Sequence, residues 1–337
     1  CILKIMKTIF ISIASYRDIE LSHTIDSLMR NAKYPERLTF GICNQDTTDN
    51  LLKIKETYNS SQFKIISIHY LESKGCCWAR SKIQSLIENE ELYLQLDSHH
   101  RMIKNWDVEC EYMLTQAIDL SEYSKAVVST YATACDKNIQ NAQPDSIYEG
   151  FHITHENVPF KMTYDKFYEF PKVRYIPAAI KNYELLNAPQ KSYTISAHFI
   201  FTSMQWVHDV PYDDKLYFDG EEDTLSVRSW TNGWDIFAPT KVLCYHYYVR
   251  EDNPKYHDDI STWSKTNGDS LKRLENIWNG KINDIYGLGK IRSLDDYKSI
   301  TGIDYIQKKI KSMDLNSYEN DDSSIKIVYN DGTQISK

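Results

Sequence analysis

Leu92 to His100 reads LYLQLDSHH, an apolar run that stops abruptly at an acid and two histidines. The run predicts a buried strand, Leu92 to Leu96, with a polar cluster at its carboxyl end. Runs of the same kind recur upstream at Lys7 to Ser15 (KTIFISIAS), Leu38 to Cys43 and Phe63 to Tyr70 (FKIISIHY), and downstream at Ala126 to Tyr131. Stretches with helical spacing separate them. Leu21, Ile25, Leu28, Met29 and Ala32 make one apolar stripe, and Ala79, Ile83, Leu86 and Ile87 a second. Trp106, Cys110, Met113, Leu114, Ala117 and Ile118 make a third. Such stripes lay helices back onto a sheet. Strands alternating with helices are the sign of βαβ units, so the fold class expected is α/β, with a Rossmann-like, doubly wound parallel sheet. In such a sheet ligands bind beyond the carboxyl ends of the strands, which puts Asp97 and its neighbours at the mouth of the cleft.

After Ala134 the rhythm breaks. Cys135 to Lys191 is polar and aromatic, carries prolines at 144, 159, 171, 177 and 189, and predicts long loops and short strands over the sheet. Thr194 to Thr202 (TISAHFIFT) and Lys241 to Val249 (KVLCYHYYV) are the next strands expected. From Glu251 onward the chain is mostly charged, with one amphipathic helix marked by Leu271, Leu274, Ile277 and Trp278 and a polar tail. The domains expected are 1–252, holding the nucleotide-binding sheet, and 253–337, a helical and polar C-terminal extension. Cys1 to Met6 reads as a processed or added start.

Composition removes whole classes. Of the 337 residues 42% are hydrophobic and 26% charged, with 11 glycines and 9 prolines, which excludes collagen-like, low-complexity and largely disordered chains. The net charge is −8, with acids and bases interspersed, so no global field draws the chain onto nucleic acid or anionic lipid. No nucleic-acid partner is expected. Seven cysteines, an odd count without a C-x-x-C pair, point to a reducing compartment and a cytoplasmic protein. No uncharged apolar run approaches the roughly 18 residues needed to cross a bilayer, so no transmembrane segment is expected. The 25 tyrosines suit sugar-stacking clefts and ordinary cores alike.

Four constellations could carry chemistry. Residues i and i+2 of an extended strand point the same way, so Asp97 and His99 can share one cation while Ser98 points aside. One carboxylate oxygen and one imidazole nitrogen suit a borderline divalent ion such as Mn²⁺, and a diphosphate could complete its shell. A helix N-cap at Asp97 or Ser98 is the alternative. His246, in the strand Leu243 to Tyr248, could complete the site or be a hydrogen-bonded core residue, and Arg250 could meet a phosphate or pair with nearby acids. Phe218 to Asp223 (FDGEED) brackets a glycine with acids; Gly220 permits a tight turn, after which Glu221 and Glu222 could serve as base or sugar-orienting groups, or simply favour a helix N-terminus. Lys74 to Arg80 (KGCCWAR) opens a helix where backbone N–H groups and Arg80 could receive an anion, and Ser15-Tyr16-Arg17-Asp18 offers a second arginine at the same sheet edge. The absence of G-x-G-x-x-G and of a Walker loop disfavours dinucleotide dehydrogenases and P-loop enzymes.

Taken in order, IFISIASYRD, RLTFGICNQ, GCCWAR, LDSHHRMIKNWD and the block from Val210 to Arg250 resemble a glycosyltransferase family of the GT-A fold. That family is typified by a cytoplasmic protist enzyme that moves N-acetylglucosamine from UDP-GlcNAc to a hydroxyproline on a ubiquitin-ligase adaptor. The layout is similar, more distantly, to that of polypeptide GalNAc-transferases. The resemblance spans about Lys7 to Arg250 and implies a metal-dependent transferase using a UDP-sugar, UDP-GlcNAc by the nearest likeness, and a protein or glycan hydroxyl as acceptor. It assigns Asp97 and His99 to a D-x-H site for Mn²⁺ (or Mg²⁺), with His246 as remote third ligand. It implies donor binding by Ser15, Tyr16, Arg17, Arg80, Asp97 and Ser98, and catalytic roles for Glu221, Glu222 and Arg80, with Trp234 and Asp235 as further candidates. It also implies retention, hence an α-linked product. Cys76-Cys77 departs from the family, which has smaller or proline-containing sequence there. A metal-dependent hydrolase using the same Asp/His cluster and a non-catalytic carbohydrate-binding protein are the rival readings.

Overall fold

The computed structural model describes residues 6–48, 51–137, 146–148, 151–153, 156–169, 171–249, 253–311, 327–328 and 334–335. Its strands in chain order are β1 (Ile9–Tyr16), β2 (Leu38–Gln45), β3 (Phe63–Ile68), β4 (Leu92–Asp97), β5 (His100–Met102), β6 (Ala126–Ser129), β7 (Thr133–Lys137), β8 (Ser146–Tyr148) and β9 (Phe151–Ile153). They continue with β10 (Phe160–Glu169), β11 (Lys172–Ala179), β12 (Gln190–Ser192), β13 (Phe199–Ser203), β14 (Asp235–Ala238) and β15 (Cys244–Tyr247), and end in the two-residue strands Ile303–Asp304, Lys309–Ile310, Ile327–Val328 and Gln334–Ile335. The helices are α1 (Leu21–Asn31), α2 (Leu52–Thr57), α3 (Cys76–Gln84), α4 (Trp106–Leu120), α5 (Met204–Asp209), α6 (Glu221–Thr231), α7 (Tyr256–Asp259), α8 (Trp263–Trp278) and α9 (Leu294–Thr301).

An eight-stranded sheet runs in the order β12-β14-β6-β13-β4-β1-β2-β3. Alternation along its strands feeds two cores. Ile9, Ile11 and Ile13 of β1 and Leu92, Leu94 and Leu96 of β4 pack against α1 and α4, while Phe10 and Tyr93 face α3 and α5. A sheet buried on both faces reads as near-continuous hydrophobic runs, which is why its strands are visible in the sequence. β1 pairs in parallel with β2 and β4, and β2 with β3. The sheet is nevertheless mixed, because β13 runs antiparallel between β4 and β6. The segment 135–191 holds the short strands expected, but β10 and β11 depart from that reading by forming a hairpin of 10 and 8 residues.

β5, β15, β7, β9 and β8 form a second, smaller sheet. The chain passes from the large sheet to the small one between β4 and β5, at Ser98-His99. Beyond residue 252, Leu274, Ile277 and Trp278 of α8, Tyr297 of α9, and Ile303 and Tyr305 are buried in the same core as Phe10 and Tyr93. Residues on both sides of position 252 therefore share this core. Among the described residues no helix is long and apolar enough to cross a membrane.

Candidate active site

Asp97 ends β4, and Ser98 and His99 form the turn into β5, so Asp97 and His99 converge across a turn rather than along extended backbone as the i, i+2 argument assumed. The small sheet supplies the third group. β15 pairs antiparallel with β5, putting His246 opposite His100, and the Tyr247 N–H donates to the His99 carbonyl at 3.1 Å. His246 Nε2 lies 3.4 Å from Asp97 Oδ2, and His99 Nε2 lies 3.8 Å from the same oxygen. Ligand atoms of all three lie within 4.8 Å of one another. Both histidines are buried, and Asp97 is the partly exposed member.

The surroundings set the protonation states such a grip needs. Burial pushes Asp97 upward, but the His246 hydrogen bond and the Arg80 charge outweigh it and hold the carboxyl well below the usual range. Burial, helped by His99, holds His246 well below the ordinary imidazole value and so favours the neutral ring that metal ligation needs. His99 is oriented from behind by Asp18, a residue the sequence reading did not single out. Asp18 is fully buried; its Oδ2 lies 2.7 Å from His99 Nδ1 and accepts from Ser98 Oγ at 2.6 Å. Its Oδ1 accepts from Glu20 N–H at 2.9 Å and Asn253 Nδ2 at 2.7 Å. A carboxylate on Nδ1 fixes the proton there and turns Nε2 toward the cluster. One carboxylate and two imidazole nitrogens on a single point fit a borderline divalent cation.

Arg80 links this cluster to the α6 acids. Its Nη2 donates to Asp97 Oδ1 at 2.6 Å, its Nη1 to the Ala197 carbonyl at 2.6 Å, and its Nε stands 3.3 Å from Glu221 Oε1. The guanidinium is thus engaged on both sides. Tyr212, also absent from the sequence reading, donates to Glu221 Oε1 at 2.7 Å and accepts from Gln95 Nε2 at 2.6 Å. Gly220 makes the expected turn with φ +89°, in the left-handed region, and a Cβ there would stand 2.1 Å from Leu274 Cδ1. Glu221 is buried at the N-terminus of α6, and Glu222 is half-buried beside it. Burial, reinforced by the Glu221 charge, raises the Glu222 carboxyl. Asp223, held by Tyr305 Oη–H at 2.7 Å and Val173 N–H at 3.2 Å, is raised by burial to about 7.

The other candidates fall as follows. Tyr16 ends β1 and Arg17 follows it, but both already bind Asp259 of α7: Arg17 Nη1 at 2.7 Å and Tyr16 Oη–H at 3.0 Å. Ser15 is buried, its carbonyl accepting from Gln45 Nε2. Ser98 is buried and turned to Asp18. Trp234 and Asp235 are not brought here. Asp235 opens β14 opposite Ala126, at the amino end of the strands, where Lys191 and Arg292 pair with it. Arg250 lies outside the described residues. His198 was missed: half-buried against His246, with ring centroids 4.9 Å apart, it accepts from the Ala132 N–H, and desolvation lowers it to about 4.

A mixed sheet flanked by helices, with polar groups gathered at its carboxyl ends, defines the architecture of the GT-A glycosyltransferases. GalNAc-T7, solved with UDP, GalNAc and Mn²⁺, superposes with a TM-score of 0.57 at 13% identity, over 93% of this chain and 58% of that one. S. aureus TarS 1-349 with UDP-GlcNAc gives 0.44 at 17% identity, over 74% and 60%. The mannosyltransferase PcManGT from Pyrobaculum calidifontis, with GDP-Man and Mn²⁺, gives 0.45 at 12%, over 83% and 66%. This chain therefore spans less than two thirds of the length of these structures. No curated protein matches its sequence. The model of the family described as Glycosyltransferase (GlcNAc) matches residues 8–51 and 46–307, and the chain belongs to that family.

Proposed function

We propose that this chain is a metal-dependent glycosyltransferase that moves a sugar from a UDP-sugar to a hydroxyl on a protein or glycan. The observation that carries the reading is the convergence of Asp97, His99 and His246, from two different sheets, onto one point at the carboxyl ends of the strands. GlcNAc is the sugar proposed, in line with the name of the family, and retention with an α-linked product follows the family the sequence resembles. The hydroxyproline-type acceptor of the protist enzyme is the acceptor class to try first. The catalytic unit proposed is 1–252, supported by the part of 253–337 that shares its core. Its odd cysteine count favours the cytoplasm.

Asp97, His99 and His246 would hold Mn²⁺ (or Mg²⁺), which supplies positive charge against the growing charge of a diphosphate leaving group. Asp18 keeps His99 Nε2 turned to the cation and Arg80 keeps Asp97 in place. Ser15, Tyr16, Arg17 and Ser98, at the carboxyl ends of β1 and β4, are proposed to shape the donor pocket. The Arg17 guanidinium would have to be shared with, or released from, Asp259. Glu221 is held by Arg80 and Tyr212, while the half-buried Glu222, with its raised carboxyl, is the group proposed to orient or deprotonate the acceptor hydroxyl.

Thermal-shift titration of nucleotide sugars with and without Mn²⁺ tests the reading, because a ligand that binds only the native state raises the melting temperature. UDP-GlcNAc is expected to raise it only with Mn²⁺, and Asp97→Ala to abolish the shift. A donor bound equally tightly by Asp97→Ala, or no response to any nucleotide sugar, refutes it.

A further inference from the structure

A second group of ligating atoms lies on the other side of Arg80. Gly75 takes φ +99° and leaves no room for a Cβ, which would stand 2.2 Å from the Tyr217 carbonyl oxygen. That close approach brings the first turn of α3 against the first turn of α6. Cys76 Sγ and Cys77 Sγ lie 3.9 Å apart, and Cys76 Sγ lies 3.3 Å from Glu221 Oε2. Ligand atoms of the three residues lie within 4.8 Å of one another. Two sulfurs bound to one tetrahedral ion at about 2.3 Å are separated by about 3.8 Å, and a sulfur and a carboxylate oxygen by about 3.6 Å. Both edges nearly match those already present.

We propose that Cys76, Cys77 and Glu221 form a binding site for a thiophilic divalent cation such as Zn²⁺ or Cd²⁺, separate from the Asp97–His99–His246 grip. The Glu221 carboxylate divides its oxygens between the two neighbourhoods: Oε1 takes Tyr212 and Arg80, and Oε2 faces the thiols. A cation on Oε2 therefore leaves the Oε1 contacts in place. On binding, each S–H bond is replaced by a sulfur–metal bond and its proton leaves to water. Two thiolates and one carboxylate then face the divalent ion, with the Arg80 guanidinium, which Asp97 shares, beside them. Soft sulfur ligands select such ions over Mn²⁺ or Mg²⁺, which prefer oxygen. The site requires neither donor nor acceptor and so stands independently of the transferase reading.

The test is titration of the reduced full chain with Cd²⁺ in the presence of excess Mn²⁺, following sulfur-to-cadmium charge-transfer absorbance in the ultraviolet. One equivalent is expected to bind with that band in the parent protein and in Asp97→Asn. The band is expected to vanish in Cys76→Ser/Cys77→Ser and the affinity to fall at least tenfold in Glu221→Gln. Cys76→Ser alone, at the half-buried position, is expected to lose at least tenfold and serves if the double variant fails to fold by circular dichroism. No band in the parent, or an equal band in the serine variants, overturns the proposal. A band lost in Asp97→Asn but kept in the double serine variant overturns it as well.

Discussion

Replacing Asp18 by asparagine separates the orientation of His99 from the integrity of the fold. The asparagine Oδ1 still accepts from the Glu20 N–H and Asn253 Nδ2, which hold Asp18 at 2.9 and 2.7 Å. The amide nitrogen replaces Oδ2, so the Ser98 hydroxyl turns from donor to acceptor toward it, and its second N–H is aimed at His99 Nδ1, 2.7 Å away. His99 Nδ1 must then accept, which moves its proton to Nε2, the atom that faces Asp97. A protonated Nε2 cannot ligate a cation. Loss of such an orienting partner costs about 10- to 100-fold in metal affinity, or about 1.4–2.7 kcal/mol. Isothermal titration of Mn²⁺ into parent and Asp18→Asn reads this directly, with far-ultraviolet circular dichroism as the check on folding. Asp18→Ala, by contrast, strands three donors besides His99 and should lower stability as well. An Asp18→Asn protein that is folded and binds Mn²⁺ within twofold of the parent would refute the argument that Asp18 sets the His99 tautomer.

Arg80→Met should cost about 3 kcal/mol in urea unfolding, because it leaves Asp97 and the buried Glu221 without their cation; a loss under about 1 kcal/mol would contradict that role. Asp223, raised by burial to about 7, binds a proton in the folded state that the unfolded chain releases near pH 4, so its contribution is full below about pH 4 and is lost as pH rises to about 7. Parent stability minus that of Asp223→Asn should therefore fall by about 4 kcal/mol across that window, and a flat difference would refute it. Leu274→Ala should destabilise the whole chain by about 2–5 kcal/mol in a single cooperative transition, since Leu274 is fully buried in the core shared with Phe10 and Tyr93. Separate melting of the segment beyond 252 would show that it is not part of that core.

The parts of the molecule that the sequence shows are those whose cause is local. β1 and β4 are buried on both faces, so their runs of isoleucine and leucine are unmistakable, and Asp97 stands out because it interrupts one of them. The α8 stripe of Leu274, Ile277 and Trp278 is equally plain. What is hidden depends on partners far away in the chain. The direction of β13 is set by pairing with Leu92–Leu96 on one side and 127–129 on the other, and nothing within Phe199–Ser203 encodes it. The β10–β11 hairpin is masked by aromatics and charges because one of its faces is partly exposed. Asp18 looks like a minor neighbour of Arg17, since its partners come from residues 20, 98, 99 and 253. Tyr212 acquires its place only when Gln95 and Glu221 close around it.

The passage of the chain from the large sheet to the small one at Ser98-His99 makes the Asp/His cluster a seam. Asp97 belongs to one sheet and His246 to the other, with His99 in the stitch between them. Slippage of one sheet past the other by even a fraction of a residue would part the three side chains while leaving both hydrogen-bonded ladders whole. Cation affinity should therefore report inter-sheet alignment more sensitively than any melting curve, and lesions along that junction should surface as weak chelation in an otherwise well-folded protein.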